Sequence, residues 1–247
     1  MRAIYVLWIR QIKRYFRSKS RIIGALGQPL LFMVAFGFGF GPIFQKAGQG
    51  NYLDFLAPGI IAQSILFTAI FSGIELIWDR QFGFLKETLV APVPRLHIMI
   101  GRTLGGATIA AMQGVIVLCL ALLLGFRPSL ASIPAAILIM ALTAILFTAL
   151  GTAIASLLQD PHGFQLIMNF LVMPMFFLSG AIFPLSSAPD ILVKISSLNP
   201  LTYCVDGLRA ALTGSGHFGI ILDLAVLSVL TAATLGIGSY LFSRMEL

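Results

Sequence analysis

Residues 1–44 run MRAIYVLWIRQIKRYFRSKSRIIGALGQPLLFMVAFGFGFGPIF, and this stretch decides the fold. Its first 21 residues carry seven of the chain's sixteen Lys and Arg. From Ile22 to Phe44 there is no charge at all. Such a run is long enough to cross a hydrocarbon layer, which takes roughly 20 apolar residues. It is too long for a secretory signal, is interrupted by Gln28-Pro29, and lacks a small-residue cleavage site. The basic half before it marks one membrane face. The rest of the chain repeats the theme: mean hydropathy is +0.98 and 10% of residues are charged, against about 25% in soluble domains.

Five further apolar runs give six spans at about 22–44, 55–77, 101–125, 132–157, 162–183 and 220–242. The turn Gln159-Asp160-Pro161-His162-Gly163 predicts that the fourth and fifth are antiparallel neighbours. Six spans put both termini on one side. That side holds twelve Lys and Arg and the other holds four: Lys46, Arg127, Lys194 and Arg209. The positive-inside rule makes the richer side cytoplasmic; an odd count would scatter the asymmetry. The expectation is an all-α, multi-pass protein of the cell membrane, both termini cytoplasmic, with residues 22–247 forming one transmembrane domain.

Residues 1–21 form an amphipathic helix. Ile4, Trp8, Ile12 and Tyr15/Phe16 recur at helical spacing, and Arg10, Lys13/Arg14, Arg17 and Arg21 make the opposite stripe. It is expected in the cytoplasmic headgroup region, with Trp8 and Tyr15 as interfacial anchors. Two roles stay open for it: a topology signal and lipid anchor, or a brace for a cytoplasmic partner. Membrane lipid accounts for the net charge of +7, so a nucleic-acid partner is set aside. Cys119 and Cys204 lack CxxC spacing and are read as small packing residues.

Two segments do not fit simple spans. The cytoplasmic segment 79–95 mixes charge with Phe82, Phe84 and Leu85, which need burial against something. Asp79 is expected to cap a short helix there that Pro92 ends. A docking surface for another protein is favoured over a dip back into lipid. The segment 184–219 is too broken to span, with Pro184, Ser186, Ser187, Pro189, Asp190, Asn199-Pro200, Asp206 and Arg209, yet keeps Ile191, Leu192, Ile195, Leu198, Leu201 and Leu208. Two short helices, about 188–197 and 200–213, fit it, either re-entering the membrane as an outer gate or lying in a solvated loop.

Energy-coupling chemistry is missing from the sequence. There is no GxxxxGK[ST] to cradle a nucleotide phosphate, no HExxH, no GxSxG and no metal-ligand cluster. The only acids within spans are Glu75 and Asp223, each near an end, so there is no chain of mid-membrane acids to drive an ion-coupled pump. No two-fold repeat of the kind many secondary carriers show is detectable.

The chain resembles the integral membrane subunits of type-2 ATP-binding-cassette (ABC) exporters, a group of drug, antibiotic and polysaccharide exporters. One matching stretch is Phe55-Leu56-Ala57-Pro58-Gly59-Ile60-Ile61-Ala62-Gln63, leading through Gly73-Ile74-Glu75-Leu76-Ile77-Trp78-Asp79-Arg80 to Gly83-Phe84-Leu85-Lys86-Glu87 and Ala91-Pro92-Val93-Pro94-Arg95. The other is Phe177-Leu178-Ser179-Gly180-Ala181-Ile182-Phe183-Pro184-Leu185, then Leu198-Asn199-Pro200-Leu201-Thr202-Tyr203 and Val205-Asp206-Gly207-Leu208-Arg209. The resemblance implies six membrane helices behind an amphipathic interface helix, and short re-entrant helices between the fifth and sixth spans. It implies a coupling helix in 79–95, with Asp79, Arg80, Phe82, Phe84, Leu85, Lys86 and Glu87 meeting a separate nucleotide-binding ABC ATPase subunit. It also implies a homodimer with two ATPases, which would hold the ATP and Mg; no cofactor is expected on this chain. The transported compound would be an amphipathic drug, a lipid, or a lipid-linked glycan. Phe32, Phe36, Glu75, Phe177, Phe183, Asn199 and Tyr203 are the candidate path or gate residues. The alternatives from other classes are a self-sufficient secondary carrier or channel, and a membrane-embedded enzyme or assembly factor.

Overall fold

The computed structural model describes residues 2–46, 50–90, 92–185 and 189–245. Ala91, Ser186, Ser187 and position 188, at the start of the expected 188–197 helix, lie outside these. Within them the chain is helical: α1 (Arg2–Arg17), α2 (Lys19–Lys46), α3 (Tyr52–Phe71), α4 (Ile74–Gln81), α5 (Phe84–Val90), α6 (Arg95–Leu123), α7 (Ile133–Leu157), α8 (Pro161–Phe177), α9 (Asp190–Ser197), α10 (Pro200–Thr213) and α11 (Ile220–Ser243), with one 3-10 turn before α7. No strand occurs among the described residues.

Five stretches are long and apolar enough to cross a membrane: α2, Tyr52–Gln81 (α3 with α4), α6, α7 and α11. The expected fifth span, 162–183, is shorter than the sequence suggested. Its helix α8 has 17 residues, or about 26 Å at 1.5 Å per residue, against a hydrocarbon layer of roughly 30 Å. It stops because Gly180, at φ +75°, turns the chain and seats Ala181 on Gly59, where any Cβ would strike the Ala181 backbone. Nor does α8 run beside α7. Its main contacts are α3, α4 and α10.

The core is built around α3, with α6, α7 and α10 packed on it and α11 closing over α7. Small residues set the spacing, as expected where backbones must approach closely in lipid. Gly73 and Gly151 meet so tightly that a Cβ on either would overlap the other helix's backbone. Gly101 and Gly105 form a groove on α6 in which α1 lies; a Cβ on Gly105 would stand 2.6 Å from the Gln11 Cβ.

Proline interrupts α2 without ending it. Pro29 has no N–H, which leaves the carbonyl four residues back, on Ala25, without its helical donor. Gln113 of α6 replaces it, its Nε2 donating to the Ala25 oxygen at 2.9 Å. The same amide accepts from the Tyr15 hydroxyl at 3.1 Å. Gln113 thus ties α1, α2 and α6 together.

That packing adds protein contacts to the interface helix expected at α1. Tyr15 is buried, and the Trp8 indole N–H donates to Thr108 of α6 at 3.0 Å. Both side chains are thus held by protein, with Trp8 still partly exposed. The buried face of α1 is Leu7, Gln11 and Tyr15, one residue per turn.

Candidate functional site

The Tyr52–Gln81 span is 30 residues long, about 45 Å at helical rise, so its last turns extend past a hydrocarbon layer. There α4 carries Glu75 and Asp79, one turn apart on one face and both buried. Buried carboxylates need partners, and four arginines from three other helices supply them. Arg10 of α1 is bidentate to Asp79, at 3.2 and 3.1 Å. Arg102 of α6, only 5% exposed, donates to Asp79 at 2.7 Å. Arg14 lies 3.4 Å from Asp79 and 3.8 Å from Glu75. Arg21 of α2 closes the cluster on Glu75.

Asp79 is therefore inside α4, not a cap, and not an accessible docking residue. The helix that Pro92 follows starts instead at Phe84, after Gly83 at φ +80° has turned the chain. Arg10 connects the two elements. Its guanidinium carbon lies 3.6 Å from the centre of the Phe84 ring, so α5 rests on the same side chain that grips Asp79.

The other coupling candidates split by exposure. Phe82 is 84% exposed, and Lys86 and Glu87 are also exposed. Leu85 is fully buried and fastens α5 to the body. Arg80 is partly buried. The exposed part is thus Phe82, Lys86, Glu87 and Val90, a small mixed apolar and charged surface.

The path candidates fall into three groups. Phe32 and Phe36 belong to an aromatic ladder along α2. Phe32 stacks on Phe176 at 6.5 Å and meets Phe36 at 5.3 Å. The ladder continues through Phe40 to Tyr52 and Phe55, and ends where Arg209 lies over the Phe55 ring at 4.0 Å. Phe177 and Phe183 are exposed at its side. Glu75 is remote from it, in the arginine cluster. Asn199 and Tyr203 are structural: Asn199 caps α10 by accepting from the Leu201 N–H at 3.0 Å and donates to the Met175 carbonyl at 2.6 Å. The Tyr203 hydroxyl donates to the Ser197 carbonyl at 2.7 Å.

Helix α10 is core rather than solvated loop, with Leu201, Cys204, Val205, Asp206, Leu208 and Arg209 all buried. Arg209 donates to the carbonyls of Phe55 and Gly180 at 3.2 and 3.1 Å. Asp206 accepts from the backbone N–H groups of His217 and Phe218. Asp223 of α11 is fully buried, and neither of its carboxylate oxygens has a hydrogen-bond partner among the described residues.

Sequence reasoning missed the arginine cluster by counting Arg10, Arg14, Arg21 and Arg102 as topology signals. The usable clue was Glu75 and Asp79 at i, i+4 near a span end. Two acids on one helix face in lipid demand cations of matching spacing, and Arg10 and Arg14 supply that spacing.

Long apolar helices thus pack around a buried charged cluster, and a short helix rests on one of its arginines. The chain belongs to the ABC-2 type transporter family, whose pattern matches residues 2–213. It is similar to "Nodulation protein J" of Sinorhizobium fredii, 28% identical over 229 residues that cover 90% of this chain and 87% of the relative. It is also similar to "Putative transport permease ycf38" of Cyanophora paradoxa, 31% identical over 83% of this chain and 72% of the relative. The same-named protein of Pyropia yezoensis is 33% identical with the same coverage. The chain is accordingly a multi-pass membrane protein of the transport-permease class.

Proposed function

We propose that this chain is the transmembrane subunit of an exporter, working as a homodimer with two copies of a separate ATPase that carries the ATP and Mg. With α8 crossing as a short sixth span, both termini, α1 and the α4–α5 turn face the cytoplasm, in keeping with the distribution of Lys and Arg. Helices α9 and α10 sit at the outer end as a gate. The substrate is an amphipathic drug, a lipid or a lipid-linked glycan, moving along the aromatic face of α2.

One observation carries the reading: Phe82 stands 84% exposed on a turn whose next helix rests on Arg10. An exposed aromatic on a short loop suits a socket on a partner. A push on α5 reaches Phe84, then Arg10, then Asp79 and Arg102, and so α1, α4 and α6 together. The charge pairs make this a rigid link, the kind of packed connection through which an ATP-driven rearrangement moves a whole bundle.

The test is co-purification of the chain with an ABC ATPase from the same cell, followed by ATPase and transport assays. The wild-type complex is expected to show substrate-stimulated hydrolysis. Phe82→Ala and Glu87→Lys are expected to lower transport while the chain stays folded and inserted. Wild-type transport by both variants, or flux from the purified chain alone under an ion gradient, would replace this reading with that of a self-sufficient carrier.

A further inference from the structure

Helix α8 carries two adjacent rows of side chains. Phe164, Met168, Val172 and Phe176 recur every fourth residue and are buried. One position on, Gln165, Asn169, Met173 and Phe177 repeat the same period and are all exposed. Phe170, beside that second row, is 84% exposed. An exposed row on a spanning helix ordinarily needs no cover but lipid. Two properties of this one call for protein.

The first is polarity. Asn169 is the middle residue of α8 (Pro161–Phe177), about 12 Å from either end at helical rise. Its side chain is too short to reach a headgroup layer from there. A carboxamide has two donors and an acceptor, and among the described residues neither the Asn169 nor the Gln165 side chain uses any of them. Hydrocarbon offers no hydrogen bonds in return, so a bare carboxamide at that depth is costly. The second is length. With 17 residues, or about 26 Å, α8 falls short of a hydrocarbon layer of roughly 30 Å. A short span relieves that mismatch by joining another helix.

One partner satisfies both. A carboxamide donates and accepts, so it is complementary to its own copy. Around a two-fold axis along the membrane normal, equivalent residues of two copies face each other. Each Asn169 then meets the other, and Met173 and Phe177 meet their mates. Rows of residues four apart are also those that interdigitate when two helices cross, and Asn and Gln amides bond across such crossings in lipid. We propose that the Gln165–Phe177 row of α8 is the surface on which two copies of this chain pair, with the Asn169 amides hydrogen-bonded to each other at the axis. This pairing rests on the homodimer and the membrane-crossing α8 proposed above, and gives that dimer its face.

The experiment measures dimerisation of the purified chain, without any ATPase, in lipid vesicles, by energy transfer between labelled copies. Asn169→Leu is expected to weaken the dimer about tenfold, as the loss of a pair of interhelical amide bonds gives. Asn169→Gln keeps the amide and is expected to pair as the wild type does. Asn169 is exposed and unbonded within the subunit, so both variants are expected to keep the wild-type circular dichroism. In a second measurement, Asn169→Cys in a Cys119→Ser background is expected to form a disulfide-linked dimer on oxidation in the membrane. A wild-type dimer that Asn169→Leu leaves equally tight overturns this face while the homodimer stands. So does labelling of Asn169→Cys by a water-soluble maleimide in place of the cross-link, which puts the row beside water. A wild-type chain that stays monomeric overturns the homodimer and this pairing with it.

Discussion

Helices α2 and α3 are both long, apolar and broken by proline, and composition hardly separates them. Yet the most apolar window of the α3–α4 span is 72% buried, against 11% for α2. In lipid, hydropathy selects what enters the membrane but not what enters the core. Small residues and polar groups decide that. Gly59 and Gly73 let other backbones close on the α3–α4 span, and Glu75 and Asp79 anchor its end. Gly24, Gly27, Gly39 and Gly41 of α2 face open space, and its neighbours reach it through Gln113, Arg21 and the Phe32–Phe176 stack.

The sharpest way to break this contrast is at Asp79. Asp79→Ala leaves Arg102 buried without its 2.7 Å partner, and removing one member of a buried pair costs about 3–5 kcal/mol. The expected outcome is loss of the folded peak in detergent. A variant as heat-stable as wild type would mean that the cluster is not what anchors α4.

Next comes a matched glycine pair. Gly73→Ala drives a Cβ into the Gly151 backbone, an overpacking expected to cost about 3 kcal/mol. Gly39→Ala meets nothing within 4 Å and is expected to stabilise by up to about 1 kcal/mol through helix propensity. Chemical unfolding of the two side by side reads the difference; equal stabilities would dissolve the distinction between the helices.

Gln113 offers a two-step test of how α2 is tethered. Gln113→Leu strips the Ala25 carbonyl and Tyr15 hydroxyl of their partner, at about 1–3 kcal/mol. Adding Pro29→Ala restores an N–H for Ala25 and is expected to recover part of that loss. If the second change gives no rescue, the missing proline donor is not the reason for the bond. The smallest effect is expected at Phe38, 76% exposed on α2: Phe38→Ala should change the subunit's stability by no more than about 0.5 kcal/mol. A larger loss would show that something covers this face.

Much of the fold was legible in the sequence. The apolar runs locate α2, α3, α6, α7 and α11, and Asn199-Pro200 locates the start of α10, because each signal is local. What was not legible depends on distance in the chain. Asp79 sits in a sequence context that suits a cap, and only the arrival of Arg10, from 69 residues away, and Arg102 makes it a buried ion. Gly101 and Gly105, four apart on α6, gain a packing role only because α1, from far back in the chain, lies on them. The exposure of Phe82 was legible, since no span could absorb it. The stacking of Arg10 on Phe84 was not, since no local rule pairs them.

The tethers of α1 also constrain how the protein is made. Tyr15 meets Gln113 across 98 residues of chain, and Trp8 meets Thr108 across 100. At a synthesis rate of roughly 5–20 residues per second, that separation is about 5–20 s of translation. For that interval α1 lacks both of these partners on α6. The face of α1 that Gln113 and Thr108 hold is thus synthesised early and completed late, by residues translated about 100 positions after it.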